Sequence, residues 1–255
     1  MPSGQPSAPS GAPTPGTPPP SLWDSPDIAR FAPFALFLVI GALGAKAFAG
    51  SEYWMYAAKT TAAGALLWAW RGRIPEMRWA FSVEGVVVGL AIAALWIGLE
   101  GHVPSLGRLW DLAREWTGGP KAPTPQPPEA WNPVAFFASN PALGWGFVAI
   151  RVLGRSLVVP AMEEVFYRSL MYRYIVNARF ESVALGTFHA GAFAVTSLLF
   201  GLSHTDHWFS AVVCGAAYQG LVVRNGRLGD AMLAHAVTNL AISAYAIGTG
   251  RWEFS

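Results

Sequence analysis

Three short stretches set chemistry-bearing side chains in otherwise apolar surroundings: "EEVFYR" (163–168), "FGLSH" (200–204) and "HAVTN" (235–239). Glu164 and Arg168 stand four residues apart, so on a helix they share a face in the favourable acid-before-base order, and an internal ion pair offsets part of their burial cost. Glu163 points about 100° away from its neighbour. One carboxylate is therefore paired and the other is not, and an unpaired, desolvated glutamate is a candidate general acid or base near neutral pH. His204 follows Phe200 by one turn, and His235 and Asn239 share a face one turn apart. Imidazole together with carboxamide can position a water, donate to an oxyanion or hold a metal. Plainer roles exist for each residue taken singly: a Glu–Arg pair can join helices, and a lone His or Asn in a membrane often bonds a neighbouring helix. Two glutamates, two histidines and an asparagine on three successive segments argue for chemistry instead.

The elements that must carry these residues look like membrane spans. The chain has 255 residues, of which 53% are hydrophobic and only 13% charged, and its mean hydropathy is +0.35. A soluble domain carries about 25% charged residues, so the deficit points to a multi-pass membrane protein. Charge at the centre of a span costs roughly 2.5–3.5 kcal/mol per residue on insertion scales, so Glu163, Glu164 and Arg168 need a reason to be there. A net charge of +2, without a basic cluster interleaved with aromatics, argues against nucleic acid as a partner. Cys214 is the only cysteine, which excludes an internal disulfide and a multi-cysteine metal site and suggests a small packed apolar residue.

Residues 1–28 are rich in Pro, Gly and Ser and read as a disordered tail, not a signal peptide, because a basic start and an apolar core are missing. The first span then serves as an uncleaved targeting signal. Apolar runs predict spans at 31–50, 53–70, 79–99, 184–203, 208–223 and 231–248, and a further span at roughly 154–174 approached by an interfacial helix within 131–150. Between them, 100–128 reads as a long polar connection with tandem prolines. The expected fold is all-α, a polytopic transmembrane bundle of seven crossings, or eight if 131–150 also spans. The organisation is a tail (1–28), N-terminal helices with the long loop (29–130) and a core bearing the three motifs (131–255). Arg71, Arg73 and Arg78 mark their loop as cytoplasmic. With seven crossings, Arg173, Arg179, Arg224 and Arg227 fall on the same side, which places the N-terminus inside. Counting residues along full-length spans puts His204 and His235 in opposite leaflets. For them to meet, the span before His204 must begin late, with "ESVALGTFHAG" partly along the interface and "HTDH" lining a water-filled cavity. His102, His189, Asp206 and His207 are expected at span ends or in loops, and Lys46, Lys59 and Glu84 are expected to snorkel or pair.

In order, the three stretches resemble the EExxxR, FxxxH and HxxxN/D motifs of the CPBP family, that of CAAX prenyl protease type 2 (Rce1-like) and bacteriocin-processing intramembrane endopeptidases. The likeness covers about 151–250. "RVLGRSLVVPAMEEVFYRS", "LAHAVTNL" and "TGRWEF" further resemble a subfamily associated with bacterial exosortase systems. The resemblance implies hydrolysis of a membrane-associated polypeptide in the bacterial cytoplasmic membrane. Glu163 would activate a water, His204 would orient it, His235 and Asn239 would stabilise the oxyanion, and Glu164 and Arg168 would form a structural or substrate-orienting pair. No cofactor is expected. Zinc held by Glu163, His204 and His235 is the alternative, although there is no HExxH. Two rivals stand beside this reading. One is a non-catalytic membrane scaffold or bacteriocin self-immunity protein that uses the cluster to bind a partner. The other is a transporter, for which the paired broken helices are missing.

Overall fold

The computed structural model describes residues 21–44, 47–120 and 130–254, and every regular element among them is helical. The elements are α1 (Pro26–Gly44), α2 (Ser51–Trp70), α3 (Val83–Leu99), α4 (Leu106–Trp116), α5 (Pro133–Phe136), α6 (Pro141–Val176), α7 (Ala190–Leu202), α8 (Trp208–Asn225) and α9 (Gly229–Thr249). Three of them, α1, α6 and α9, are long and apolar enough to cross a membrane, and α3 and α7 are shorter apolar helices. Large apolar side chains such as Leu43, Trp68, Phe81 and Leu198 face outward, as expected of a bundle solvated by lipid rather than water.

Local signals set the helix boundaries. Ser82 Oγ accepts from Gly85 N–H at 3.0 Å and caps α3. Asn140 Oδ1 accepts from Leu143 N–H at 3.2 Å, with Pro141 at the first helical position. The Ser139-Asn140-Pro141 triplet is thus the start of α6, a single helix that runs on through 154–174 instead of a separate approach helix and span. His189 Nδ1 accepts from Ala192 N–H at 3.1 Å and opens α7, so that helix begins late, as the histidine argument required. Gly226, at φ 64°, ends α8 in the left-handed region glycine favours.

Two stretches differ from the sequence reading. The tail expected at 1–28 lies outside the described residues up to position 20, but Leu22–Asp24 form a 3-10 turn and α1 starts at Pro26. Trp70 Nε1 donates to Trp23 O at 3.1 Å, and the two indoles pack at a tilt with centroids 4.5 Å apart, which ties that stretch down. The connection 100–128 is not wholly irregular. Ser105 caps the eleven-residue α4, and the tandem prolines come only after its end.

The helices alternate between two ends of the bundle. At one end Glu76, in the α2–α3 loop, accepts from Arg30 Nε at 2.8 Å and Arg30 Nη2 at 3.0 Å, from the Ser169 hydroxyl, and from Arg173 Nη1 at 3.4 Å. Arg224 Nε reaches Glu84 at 3.3 Å at the same end. At the other end His207 Nε2 meets Glu100 at 2.6 Å, and Arg155 Nη1 donates to Phe254 O at 2.8 Å. Between the ends, α3 lies close against α9. A β-carbon on Gly89 would stand 2.8 Å from Val237 Cβ, and Thr238 Oγ1 donates to Gly89 O at 2.9 Å. Only glycine admits that approach. Cys214 is buried in the core, as expected.

Candidate functional site

The site is built on α6. Two wide turns, at Gly154–Val158 and Val165–Met171, interrupt its α-helical course and bracket the segment Val159–Glu164. In the first, Val159 N–H bonds Gly154 O, five residues back. The carbonyl of Arg155 would then look to residue 160, which is Pro160 and has no N–H. Asn239 fills that gap: its Nδ2 donates to Arg155 O at 2.8 Å. The proline and the asparagine, 79 positions apart in sequence, thus answer each other. Turns of this width recur at functional sites.

Glu164 is fully buried, and its Oε1 accepts from Arg168 Nη1 at 3.1 Å and bonds His235 Nδ1 at 3.0 Å. Arg168 Nη2 donates to Gly215 O at 3.2 Å, which joins α8 to the network. The expected Glu164–Arg168 pair is present, and His235 is a third member of it. With Nδ1 engaged, Nε2 is the imidazole nitrogen left for another partner. Tyr218 stacks on the His235 ring, with centroids 5.2 Å apart.

Glu163 sits beside this network without joining it by a hydrogen bond. It is buried, and its Oε2 has no hydrogen-bond partner among the described residues. Its carboxylate lies within electrostatic reach of His235, Glu164, Arg168 and Lys59.

Phe200 links the two histidines. Its ring centroid is 4.8 Å from that of His204 and 6.0 Å from that of His235, and the Arg168 guanidinium lies 4.5 Å from it. His204 Nδ1 is 2.9 Å from Phe200 O and 3.1 Å from Ser203 Oγ. The thirteen residues of α7 rise only about 20 Å, so its far end stays deep enough for both imidazoles to pack on one phenyl ring.

A cleft of about 800 Å³ opens beyond His204, with Glu100, Trp131, Asp206, His207, Trp252 and Glu253 among its walls. Glu163, His204 and His235 do not line it, so it is not the shared hollow expected from sequence. Trp96 stands between the two regions, 5.9 Å from the His204 ring and 5.1 Å from that of His207. Among the described residues no group of three or more His, Cys, Asp or Glu side chains is arranged to hold a metal ion, and Glu163, His204 and His235 form no such group.

Other polar residues fall largely as expected. Glu84 pairs with Arg224, and Lys59 lies over the rings of Phe37 and Tyr56 at 4.2 and 5.3 Å. Lys46 is outside the described residues. Sequence reasoning missed Arg30, Glu76 and Tyr218. Arg30, four residues after Pro26 in an apolar run, was the available signal for the first.

Residues 144–241 match the profile of the family described as Type II CAAX prenyl endopeptidase Rce1-like. The comparison with curated proteins gives no match, and neither does that with solved structures. The matched segment holds Glu163, Glu164, Arg168, His204, His235 and Asn239, the same side chains that the bundle gathers around α6. Over residues 144–241 this chain is thus similar to the Rce1-like family.

Proposed function

We propose that the protein is an intramembrane endopeptidase that hydrolyses a membrane-associated polypeptide with a water activated by Glu163. The observation that supports this most is a buried glutamate with an unpartnered oxygen beside a hydrogen-bonded Glu164–Arg168–His235 network. Glu163 takes a proton from water as the water attacks the peptide carbonyl, and later delivers it to the leaving amine. Glu164 accepts from His235 Nδ1–H and stabilises the ring as an imidazolium, whose Nε2–H then donates to the oxyanion. The second N–H of Asn239 Nδ2 does the same, the first being held by Arg155 O. Arg168 balances the Glu164 charge, and His204 orients the water from across Phe200. No metal takes part in this scheme, and a zinc on Glu163, His204 and His235 is the competing version.

The protein lies in the bacterial cytoplasmic membrane with seven crossings and its N-terminus inside. The clustering of Glu76, Arg30, Arg173 and Arg224 at one end of the bundle, with the loop arginines Arg71 and Arg73, supports that orientation. The narrower likeness to exosortase-associated proteins rests on sequence stretches alone.

One observation favours a second reading, a scaffold or self-immunity protein: the 800 Å³ cleft does not reach Glu163. Mapping new N-termini in membrane proteins from cells carrying the wild type or Glu163→Gln, at equal insertion, separates the two. The peptidase reading expects products that appear only with the wild type and persist with a chelator present. Identical maps from both cells support the scaffold, and products lost on chelation support zinc.

A further inference from the structure

Arg30, Arg168 and Arg173, the arginines sealed within the bundle, each face a carboxylate: Glu76, Glu164 and Glu76 again. Arg151 and Arg155 break that pattern. They lie one helical turn apart on α6, and neither forms an ion pair among the described residues. The Arg151 guanidinium lies over Trp131 at 4.3 Å and Tyr56 at 4.9 Å, and its Nε is buried without a hydrogen-bond partner. Arg155 spends one donor on Phe254 O, at 2.8 Å. Two like charges at this spacing repel, and aromatic faces replace only part of the hydration a guanidinium loses. Lys59, one helix away, is within electrostatic reach of Arg151 and adds to the positive charge.

These arginines line a small cavity with Trp131, Trp252 and Ser243, and the same two indoles wall the 800 Å³ cleft. Trp131 and Trp252 are therefore the walls shared by the cleft and the guanidinium pair's cavity, which holds only about 10 Å³ of space in this conformation. The pair is adjacent to the reacting groups, because Asn239 holds the Arg155 carbonyl. Glu163 lies eight residues further along α6, about 12 Å in rise, within reach of a short extended peptide. A peptide oxygen, that of Phe254, already occupies one Arg155 donor.

We propose that Arg151 and Arg155 form a carboxylate-binding subsite that anchors an acidic group of the peptide substrate at the mouth of the site. Guanidinium forks match carboxylates in a bidentate geometry, and an occupant would supply the counter-charge that the described residues do not. The inference rests on the peptidase reading for the word substrate, but binding tests it without cleavage.

The assay is ligand-dependent thermal unfolding of the full chain in zwitterionic phosphatidylcholine nanodiscs. The probes are N-acetyl-Phe-Leu-Phe as the free acid, its C-terminal amide, and N-acetyl-Phe-Asp-Phe amide. An acid-bearing probe is expected to raise the unfolding temperature of both the wild type and Glu163→Gln. Arg151→Gln should raise the half-saturating concentration about tenfold or more, and Arg151→Lys should recover part of the loss. A shift with the free acid identifies a chain terminus as the source of the carboxylate, and a shift with the Asp amide identifies a side chain. Equal shifts from the acid and the plain amide overturn the proposal, as does no shift with any probe. It is also overturned if only phosphatidylglycerol in the disc stabilises the protein through Arg151, which would make the pair a lipid-headgroup site. Retained binding in a Glu163→Gln protein that cleaves as well as the wild type would sink the base assignment while leaving the subsite intact.

Discussion

Adjacent glutamates should respond to substitution in opposite ways. Glu164 Oε1 serves Arg168 at 3.1 Å and His235 at 3.0 Å in a fully buried site. Glu164→Leu leaves the Arg168 guanidinium with Gly215 O as its remaining acceptor, and breaking a buried pair in this way costs about 3–5 kcal/mol. Glu164→Gln keeps an oxygen in place but removes its charge. Charged hydrogen bonds exceed neutral ones by roughly 0.5–1.5 kcal/mol each, and two are affected, so the loss is about 1–3 kcal/mol. Glu163→Gln removes a charge that no hydrogen bond compensates at Oε2, and its effect should stay within about 1 kcal/mol or be stabilising. Chemical unfolding in mixed micelles, followed by circular dichroism, reads all three. The expected order of destabilisation is Glu164→Leu, then Glu164→Gln, then Glu163→Gln. If Glu163→Gln loses as much as Glu164→Gln, the division into one structural and one unpartnered carboxylate is wrong.

Asn239→Leu orphans the Arg155 carbonyl and should lower stability by about 1–3 kcal/mol. Pro160→Ala in that background restores a backbone donor, so it should recover part of the loss, as hydrogen exchange within α6 would show. Phe200→Ala removes the ring that both histidines pack on and should cost about 3–5 kcal/mol, measured by the same unfolding assay. The Glu76 loop sets an acid limit. Burial alone would raise this carboxyl, but the Arg30 bond and charge, with the Ser169 hydroxyl, bring it below its ordinary value. A lowered folded value means that the stabilisation is present above the unfolded value near 4.3 and is lost as pH falls through the folded one. Unfolding temperature should therefore drop on acidification below about pH 5, and Glu76→Gln should flatten that drop.

Much of this was legible in sequence because it depends on period and composition. Apolar runs gave the helices, and the spacing of Glu164 and Arg168 gave their bond. The late start of α7 followed from requiring His204 and His235 to meet, and His189 as its cap supplies the cause. What escaped needed partners distant in sequence. The bond from His235 to Glu164 spans 71 positions, and nothing local marks it. The wide turns in α6 have no composition signal of their own, and Pro160 acquires its meaning only when Asn239 is seen against Arg155 O. The helix α4 was hidden by the prolines that follow it, although Ser105 announces its start. The shared hollow was expected from polar residues alone, whereas aromatic rings pack against them: Phe200 and Tyr218 on His235, and Tyr167 on Phe200.

The central claim is that Glu163 is the chemical carboxylate. It is tested by purifying the wild type, Glu163→Gln and Asn239→Asp, reconstituting each in proteoliposomes, and following cleavage of a substrate found by N-terminal mapping. The account predicts that Glu163→Gln lowers the rate about 100-fold or more, as loss of a general base does, while its unfolding temperature stays at the wild-type value. A Glu163→Gln protein that cleaves at the wild-type rate contradicts it.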